Sequence, residues 1–329
     1  MSRAVSVIIP SWNGRALLER NLPFVRAALD VHAPGGEVIV VEDGGEDDSA
    51  AWLAAEQPWA RSVVRASNGG FAAAINDGVA AARHPIVLLL NNDMRVEPGF
   101  LAPLCEPFSG AAPPFAVVPR IINRTYGGDE SISACRFRRG LLETIFPERD
   151  GRPGGAAAPG GADASAPQGA PAAAREVLFA CGGAAAVDRR RFLEMGGLDP
   201  LYAPFYWEDV DLSWRARKRG YAILHAQASV VHHEHAATIG ARFAAADIKV
   251  IHERNRLLFQ WKNLTSARLT FAFLAWLPLR LARAPFGRSE FLRGFLGALH
   301  RLPAALAARR RERAARRVGD EAILERFRP

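Results

Sequence analysis

Carboxylates that follow apolar runs are the first candidates for chemistry in this sequence. Asp43 comes just after Glu37–Val41, where an acid can accept hydrogen bonds from a base or a ribose. Asp93 ends the run Asn91-Asn92-Asp93 after Ile86–Leu90, where a carboxylate can bind a hard cation that bridges two phosphates. A simple Asp-Gly turn is the alternative at Asp43, and an Asx turn is the favoured explanation of Asn91-Asn92-Asp93 when that run is taken alone.

The stretch Trp207–Arg215 holds three carboxylates near the predicted start of a helix. Helix dipoles favour acids there. Asp211 and Arg215 are four residues apart, which predicts an ion pair on a helix surface. Asp209 has no such partner, and a carboxylate beside a cleft could remove a proton from a hydroxyl group as a general base.

The run His232-His233-Glu234-His235 suits a metal site after a strand. In an extended segment neighbouring side chains point to opposite faces, so His232 and His233 cannot easily share one metal ion. The pattern therefore favours one ligand with bystanders, and it has neither the cysteines nor the HExxH spacing of a zinc site.

Four apolar runs alternate with helical patterns in the first hundred residues, which predicts an α/β fold with a doubly wound, mostly parallel sheet. The strands are Val5–Ile9, Glu37–Val41, Ser62–Arg65 and Ile86–Leu90, and the helices are Arg15–Leu29, Ser49–Glu56 and Phe71–Ala82. Ligands of such sheets bind beyond the carboxyl ends of the strands. The polar segments that leave those ends should converge on one crevice: Pro10–Gly14, Glu42–Asp48, Ala66–Gly70 and Asn91–Arg95.

The second half is less regular. Gly151–Ala174 is rich in Gly, Ala and Pro, and we interpret it as a disordered insertion. Beyond it we expect helices near Arg189–Met195, Val210–Arg219 and Asp247–Trp261, and short strands at Ala222–Leu224 and Ser229–Val231.

The C-terminal region is apolar and basic. Leu269–Leu279 is too short to span a membrane and Pro278 interrupts it. The arginines that follow alternate with apolar residues at helical spacing, which is typical of helices that lie in a membrane interface. An ordinary helix packed on the main domain, with a solvated arginine face, is the alternative.

The charge distribution separates the two regions. The net charge is +8; from Ala267 onward there are 14 Arg and 5 acids, or +9, which leaves −1 for the rest. The main domain thus gives no support for nucleic-acid binding, whereas an anionic membrane surface is a natural partner for the tail. Three cysteines without a CxxC motif favour a reducing compartment, and the start of the chain shows no signal-peptide pattern.

Taken together, several short stretches resemble family 2 glycosyltransferases, particularly the bacterial rhamnosyltransferase-like branch. The resemblance covers roughly residues 5–262 without the insertion. The matching stretches, in chain order, are Ser6–Gly14, Val38–Gly45, Asn68–Phe71, Leu88–Asp93, Cys181–Ala184 through Gly196–Asp199, Trp207–Arg215 and His232.

The resemblance implies a GT-A fold at residues 1–262, and the pattern of the C-terminal region predicts a helical, basic amphipathic extension at 263–329. The resemblance also implies transfer of a sugar from a nucleotide diphosphate donor with inversion. Together with the basic tail, this predicts a protein held on the cytoplasmic face of a bacterial inner membrane. The donor would be a UDP- or dTDP-sugar, with dTDP-rhamnose among the candidates. The acceptor would be a lipid-linked glycan or a polysaccharide.

The resemblance also assigns residues. Pro10, Ser11, Asp43, Asn68 and Asn92 would bind the nucleotide or its phosphates, and Gly182 and Gly183 would let the backbone approach the donor sugar. Asp93 would bind Mg²⁺ or Mn²⁺ with His232 as a second ligand, and Asp209 would be the catalytic base.

Two other classes of protein are alternatives for this sequence. A nucleotide-sugar-binding scaffold without activity would share the pocket but would not need Asp209. A dehydrogenase on the same type of sheet would need GxGxxG after the first strand, where this chain has Pro10–Gly14.

Overall fold

The computed structural model describes residues 4–32, 35–124, 128–145, 175–234, 242–283 and 290–329. The predicted disordered insertion at 151–174 lies outside these residues. The strands are β1 (Val5–Ser11), β2 (Glu37–Asp43), β3 (Ala60–Arg65), β4 (Ile86–Leu90), β5 (Met94–Val96), β6 (Ala116–Asn123), β7 (Ala134–Arg138), β8 (Leu141–Ile145), β9 (Arg175–Glu176), β10 (Ala184–Asp188) and β11 (Ile223–His233).

Helices cover the sheet and continue to the end of the chain. They are α1 (Arg15–His32), α2 (Ser49–Glu56), α3 (Phe71–Ala81), α4 (Leu101–Cys105), α5 (Arg189–Glu194), α6 (Glu208–Lys218), α7 (Ala245–Asn263), α8 (Ala267–Ala282), α9 (Glu290–His300), α10 (Leu302–Ala315) and α11 (Asp320–Arg326). Short 3-10 helices follow α4 and precede α6.

The main sheet has the strand order β3-β2-β1-β4-β10-β6-β11-β5, and β9 pairs with β11. The first four strands are parallel, whereas β10 runs antiparallel to both β4 and β6. β1, β2 and β4 are almost completely buried because helices cover both faces, which explains their continuous apolar sequences. The predicted α/β fold with a mostly parallel sheet and C-terminal helices is confirmed.

Two short strands predicted at 222–224 and 229–231 are one strand, β11. Its pairing with β6 shifts register between Ala226 and Val230, which marks a bulge. The bulge accounts for the gap in the apolar pattern that made the two halves look separate.

The C-terminal helices pack on the domain around a second hydrophobic core. This core joins the β7–β8 hairpin, α6 and α7 to apolar residues of α8 to α11, among them Phe273, Ala298 and Ile323. Lys218 on α6 pairs with Asp320 on α11 at 3.1 Å, and both side chains are fully buried. α8 also continues through Pro278, contrary to the sequence prediction of an interruption.

The outer surface of α8 and α9 stays apolar. Phe271 is 75% exposed and Leu274 56% exposed on α8, and Leu296 is 57% exposed on α9. Within the part of the chain that the structure describes, every helix is too short or too polar to cross a lipid bilayer.

Candidate active site

A cavity of about 1500 Å³ opens at the carboxyl ends of β1, β2 and β4. Seven residues singled out from the sequence line it: Pro10, Ser11, Asp43, Asn68, Asn92, Asp93 and Asp209. The three others, Gly182, Gly183 and His232, are not among its lining residues. Parallel strands that end at one edge thus bring the first six of these residues together, and the first turn of α6 adds Asp209.

Asp43 organises the loop at one end of the cavity. Its carboxylate accepts hydrogen bonds from the backbone N–H groups of Gly69 and Gly70, at 2.9 and 2.8 Å, and lies 2.7 Å from Nε of Arg65. Gly70 has φ of 82°, which a residue with a side chain rarely adopts. The carboxylate therefore holds the Asn68-Gly69-Gly70 turn in shape at the cavity wall.

Beside it, Gly14 allows two polar side chains to approach the chain closely. A Cβ on Gly14 would lie 2.4 Å from Nδ2 of Asn92 and 2.6 Å from Oγ of Ser11. Nearby, burial raises the pKa of Glu42 to about 7, and the negative charge of Asp47 adds to the effect. Near neutral pH Glu42 is therefore partly protonated.

The loop after β4 presents Asp93 to the cavity. The side chain of Asn21 donates to the carbonyl of Asn92 at 2.8 Å, and the N–H of Asn91 donates to the carbonyl of Gly183 at 2.8 Å. Oδ1 of Asp93 is buried and has no hydrogen-bond partner among the residues that the structure describes. An unsatisfied buried carboxylate oxygen at a cavity wall is costly unless a ligand completes it.

His233, rather than His232, lies against Asp93. Its Nε2 is 3.3 Å from Oδ2 of Asp93 and its Nδ1 is 2.8 Å from a carboxylate oxygen of Glu130. Burial alone would lower the pKa of His233, but the hydrogen bonds to the two carboxylates outweigh it and raise the pKa to about 9.

His232 faces the other side of β11, where its Nε2 lies 3.1 Å from Glu97. Neighbouring residues of a strand point to opposite faces, and the pairing of His233 with Met94 decides which histidine turns inward. The structure therefore does not bring together Asp93 and the histidine chosen from the sequence.

The residues at this wall fit a divalent cation, although the described residues contain no group of three or more His, Cys, Asp or Glu arranged to hold one. The fit rests on the unpartnered oxygen of Asp93, with His233 and Glu130 beside it. Oxygen ligands from one or two carboxylates, completed by the phosphates of a substrate, are the usual environment of Mg²⁺.

Asp209 stands in the first turn of α6, at the same cavity. Its Oδ2 accepts a hydrogen bond from Gly182 N–H at 3.1 Å and its Oδ1 one from Val210 N–H at 2.8 Å. Burial raises the pKa of Asp209 above the ordinary value, while these N–H groups oppose the rise. Burial also raises the pKa of the neighbouring Glu208 to about 8, so that near neutral pH Glu208 is mostly uncharged.

Gly182 and Gly183 serve the site from behind the wall. A Cβ on Gly182 would lie 3.2 Å from the ring of Phe71 and 3.3 Å from Cβ of Asp209, and one on Gly183 would lie 2.8 Å from Met94. Their lack of side chains allows close packing beneath Asp209 and Asn91. Cys181 is the member of this stretch that lines the cavity.

Asn255 on α7 supports the segment before Asp209, and the sequence reasoning did not identify it. Its fully buried amide donates to the carbonyls of Tyr202, Phe205 and Tyr206. Tyr206 and Trp207 have φ of 71° and 78°, a strained conformation for residues with side chains. A single Asn on a distant helix therefore holds the strained turn that aims Asp209.

The pair Asp211–Arg215 exists, but it is buried, contrary to the predicted surface position. Its atoms are 2.7 Å apart, and Lys262 lies 2.8 Å from the other oxygen of Asp211. Burial alone would raise the pKa of Asp211, yet Arg215 and Lys262 hold it well below the usual range. This network joins α6 to α7. The pair is buried because α7 covers a face of α6 that would otherwise be exposed.

Solved structures share this architecture. The chain is similar to GalNAc-T7 with UDP, GalNAc and Mn²⁺, at 18% identity and TM-score 0.60, over 89% of this chain and 53% of that one. It is also similar to the mannosyltransferase PcManGT from Pyrobaculum calidifontis with GDP-Man and Mn²⁺ (14% identity, TM-score 0.52, 96% and 86% coverage). A third similar structure is S. aureus TarS 1-349 (12% identity, TM-score 0.53, 98% and 89% coverage). These likenesses show the fold, which is GT-A-like.

Sequence comparison gives a family match for part of the chain. Residues 6–151 match the family described as Glycosyl transferase family 2. A curated relative is 33% identical over 108 residues, the undecaprenyl-phosphate 4-deoxy-4-formamido-L-arabinose transferase of Aeromonas hydrophila subsp. hydrophila. The matched region is 32% of this chain, and it spans only 33% of the length of the relative.

Proposed function

We propose that the protein is an inverting glycosyltransferase that moves a sugar from a nucleoside diphosphate donor to a lipid-linked or polysaccharide acceptor. The observation that carries the proposal is that Asp93 and Asp209 line one cavity at the strand ends. The first suits a diphosphate-bound cation and the second suits a general base. A UDP- or dTDP-sugar is the proposed donor, and the rhamnosyltransferase-like branch makes dTDP-rhamnose the first to test.

Asp209 performs the proton transfer in this mechanism. As the acceptor oxygen forms a bond to the anomeric carbon, the bond from that carbon to the diphosphate oxygen breaks on the opposite face. The proton of the acceptor hydroxyl goes to the carboxylate of Asp209, which burial has made more basic than an exposed aspartate. The N–H of Gly182 keeps the carboxylate oriented during the transfer.

The diphosphate would be held where the cavity meets the strand ends. Ser11, Asn68 and Asn92 line this end of the cavity and supply hydrogen-bonding groups, with Asp43 keeping the Asn68 turn in place. Asp93 would hold Mg²⁺ or Mn²⁺. His233 lies beside it in place of His232 and would have to lose a proton to serve as a second ligand. When bound there, the cation would offset the charge that develops on the departing diphosphate.

The membrane assignment is part of the same proposal. We place the protein at the cytoplasmic face of a bacterial inner membrane, with the exposed side chains Phe271, Leu274 and Leu296 toward lipid. The 14 arginines from Ala267 onward would attract anionic headgroups. An inactive nucleotide-sugar-binding scaffold would retain the cavity but would have no use for a base of raised pKa.

The Asp209→Asn variant tests the proposal. Loss of the base should lower kcat by roughly 10²–10⁴-fold, because Asn cannot accept the proton. Binding of UDP or dTDP with Mn²⁺, measured by calorimetry, should change little. Asp30→Asn, an exposed aspartate on α1 paired with Arg26, is the matched control and should be as active as the native chain. Normal turnover by Asp209→Asn would refute the assignment.

A further inference from the structure

The two ends of the cavity carry opposite charge. The donor end is lined by the acids Asp43, Asp93, Glu130 and Asp209. The outer end is walled by the β7–β8 turn, α7 and α8, and six of its lining residues are basic: Arg138, Arg139, Lys249, Arg256, Arg280 and Arg283. A nucleoside diphosphate with its cation suits the first end, which leaves the basic end without a role in the donor site.

Three acids, Glu143, Glu253 and Glu290, also line the basic end and neutralise only part of the charge of its six basic residues. Glu143 is paired at 2.6 Å with Arg136, an arginine outside the cavity lining. Glu253 pairs with Arg256, yet Nε of Arg256 is buried without a hydrogen-bond partner among the described residues. The outer end therefore keeps an excess of positive charge and an unused donor.

The positive charges of the basic end lie close together around Arg280. Its guanidinium donates to the carbonyl of Arg139 at 3.1 and 2.9 Å. Burial lowers the pKa of Arg280, and the nearby positive charge of Arg256 lowers it further. An anion between these arginines would relieve their repulsion, and Arg is the side chain best suited to bind phosphate oxygens.

Apolar side chains adjoin this basic end. Trp276, Leu279 and Phe291 line the same part of the cavity, with Leu279 47% exposed. Phe271 and Leu274, nearer the start of α8, are also exposed apolar side chains. A ligand that fits both features has an anionic group attached to an apolar chain.

We propose that the outer end of the cavity is an acceptor subsite for a phosphate that links a sugar to an apolar chain. The arginines of the β7–β8 turn, α7 and α8 would bind the phosphate, and the apolar face of α8 would carry the first part of the chain. The acceptor sugar would then extend inward toward Asp209. This inference rests on the proposed function and names its acceptor class as a lipid phosphate.

Binding of geranyl phosphate to the full-length protein tests the subsite. Geraniol is the probe without the anion, and inorganic phosphate is the probe without the chain. Calorimetry should show binding of geranyl phosphate at least tenfold tighter than binding of either control. Equal affinity for geraniol would refute the anion subsite, and equal affinity for inorganic phosphate would refute the lipid assignment.

Two variants locate the binding. Arg256→Gln and Arg139→Gln should each weaken geranyl phosphate binding about tenfold, and Arg139 is exposed, so its replacement should not disturb folding. Arg310→Gln on α10 is the matched control, because Arg310 is exposed and is not a lining residue of the cavity. Unchanged affinity in both cavity variants, with melting temperatures like that of the native chain, would overturn the proposal.

Donor binding separates this inference from the function on which it rests. The native protein is titrated with UDP and dTDP in the presence of Mn²⁺. Binding of geranyl phosphate without any nucleotide binding would refute the glycosyltransferase and leave the anion subsite standing. Nucleotide binding without charge-dependent binding of geranyl phosphate would refute the subsite alone.

Discussion

At the scale of single residues, burial decides which groups can act as acids, bases or ligands. Asp93 and Asp209 are both aspartates beside the cavity, but their surroundings differ. Asp93 has an oxygen without a partner among the described residues, which suits a cation. Asp209 is held by two backbone N–H groups in a partly buried position that raises its pKa, which suits proton transfer.

The pH dependence of sugar transfer should reflect the pKa of Asp209. Only the carboxylate form accepts a proton, so kcat/KM should fall as the pH drops through its pKa. Because burial raises that pKa above the ordinary value of 3.8, the acid limb should lie above that of an exposed aspartate. Initial rates across the pH range, with circular dichroism to confirm that the fold persists, provide the measurement. Full activity down to pH 4 would contradict the assignment.

Removal of the carboxylate at Asp93 should weaken Mn²⁺ binding at least tenfold, on the scale seen when the shell of a metal site is altered. Titration of Mn²⁺ in the presence of UDP, followed by electron paramagnetic resonance, compares Asp93→Asn with Asp30→Asn. A chelator should abolish transfer by the native chain. Identical Mn²⁺ affinity in the two variants would mean that Asp93 is not a ligand.

At the scale of elements, α6 connects the proposed reaction centre to the rest of the molecule. Its first turn carries Asp209, its middle carries the buried pair Asp211–Arg215, and its end carries Lys218. Lys218 lies 3.1 Å from Asp320 of α11, whose other oxygen accepts hydrogen bonds from the N–H groups of Thr265 and Ser266. One buried carboxylate thus fixes the C-terminal helices to the helix of the proposed base.

Asp320→Asn should therefore reduce the free energy of unfolding by roughly 3–5 kcal/mol, because it leaves the charge of Lys218 buried without a counterion. Urea denaturation at neutral pH measures the change. The exposed pair Arg26–Asp30 provides the control, for which Asp30→Asn should cost less than about 1 kcal/mol. If the two variants unfolded at the same urea concentration, the pair Lys218–Asp320 would contribute no more to the free energy of unfolding than a surface ion pair does.

At the scale of the whole molecule, the C-terminal helices have two different faces. Their inner faces complete the second hydrophobic core and wall the outer end of the cavity. The outer faces of α8 and α9 expose large apolar side chains. The two interpretations left open by the sequence, packing on the domain and contact with a membrane, are therefore compatible, since different faces serve them.

Point substitutions test the membrane contact better than truncation does, because truncation would also remove Asp320 and part of the second core. Phe271→Ser with Leu274→Ser should lower binding to vesicles containing phosphatidylglycerol by about tenfold or more, given roughly 1.5–3 kcal/mol for each large side chain buried in lipid. Val31→Ser with Val64→Ser, exposed on α1 and β3, is the control pair and should bind normally. Co-sedimentation that does not change in the first pair would exclude α8 as the contact.

Much of the fold of the first hundred residues could be predicted from local sequence. Strands that are covered on both faces must be apolar throughout, so β1, β2 and β4 stand out, and the polar segments after them must meet at one edge. Six of the ten proposed site residues line the cavity for this reason, as Asp43 and Asp93 illustrate, whereas Asp209 reaches it from the first turn of α6.

Only the tertiary structure decided the remaining features, because they depend on contacts between distant segments. The pairing of β11 with β5 and β6 turned His233 inward instead of His232. The covering of α6 by α7 buried the pair Asp211–Arg215, and packing on α7 placed Asn255 under the strained turn before Asp209. Local patterns determine which residues can form strands and polar turns, whereas the choice of face and of partner is made when the elements pack.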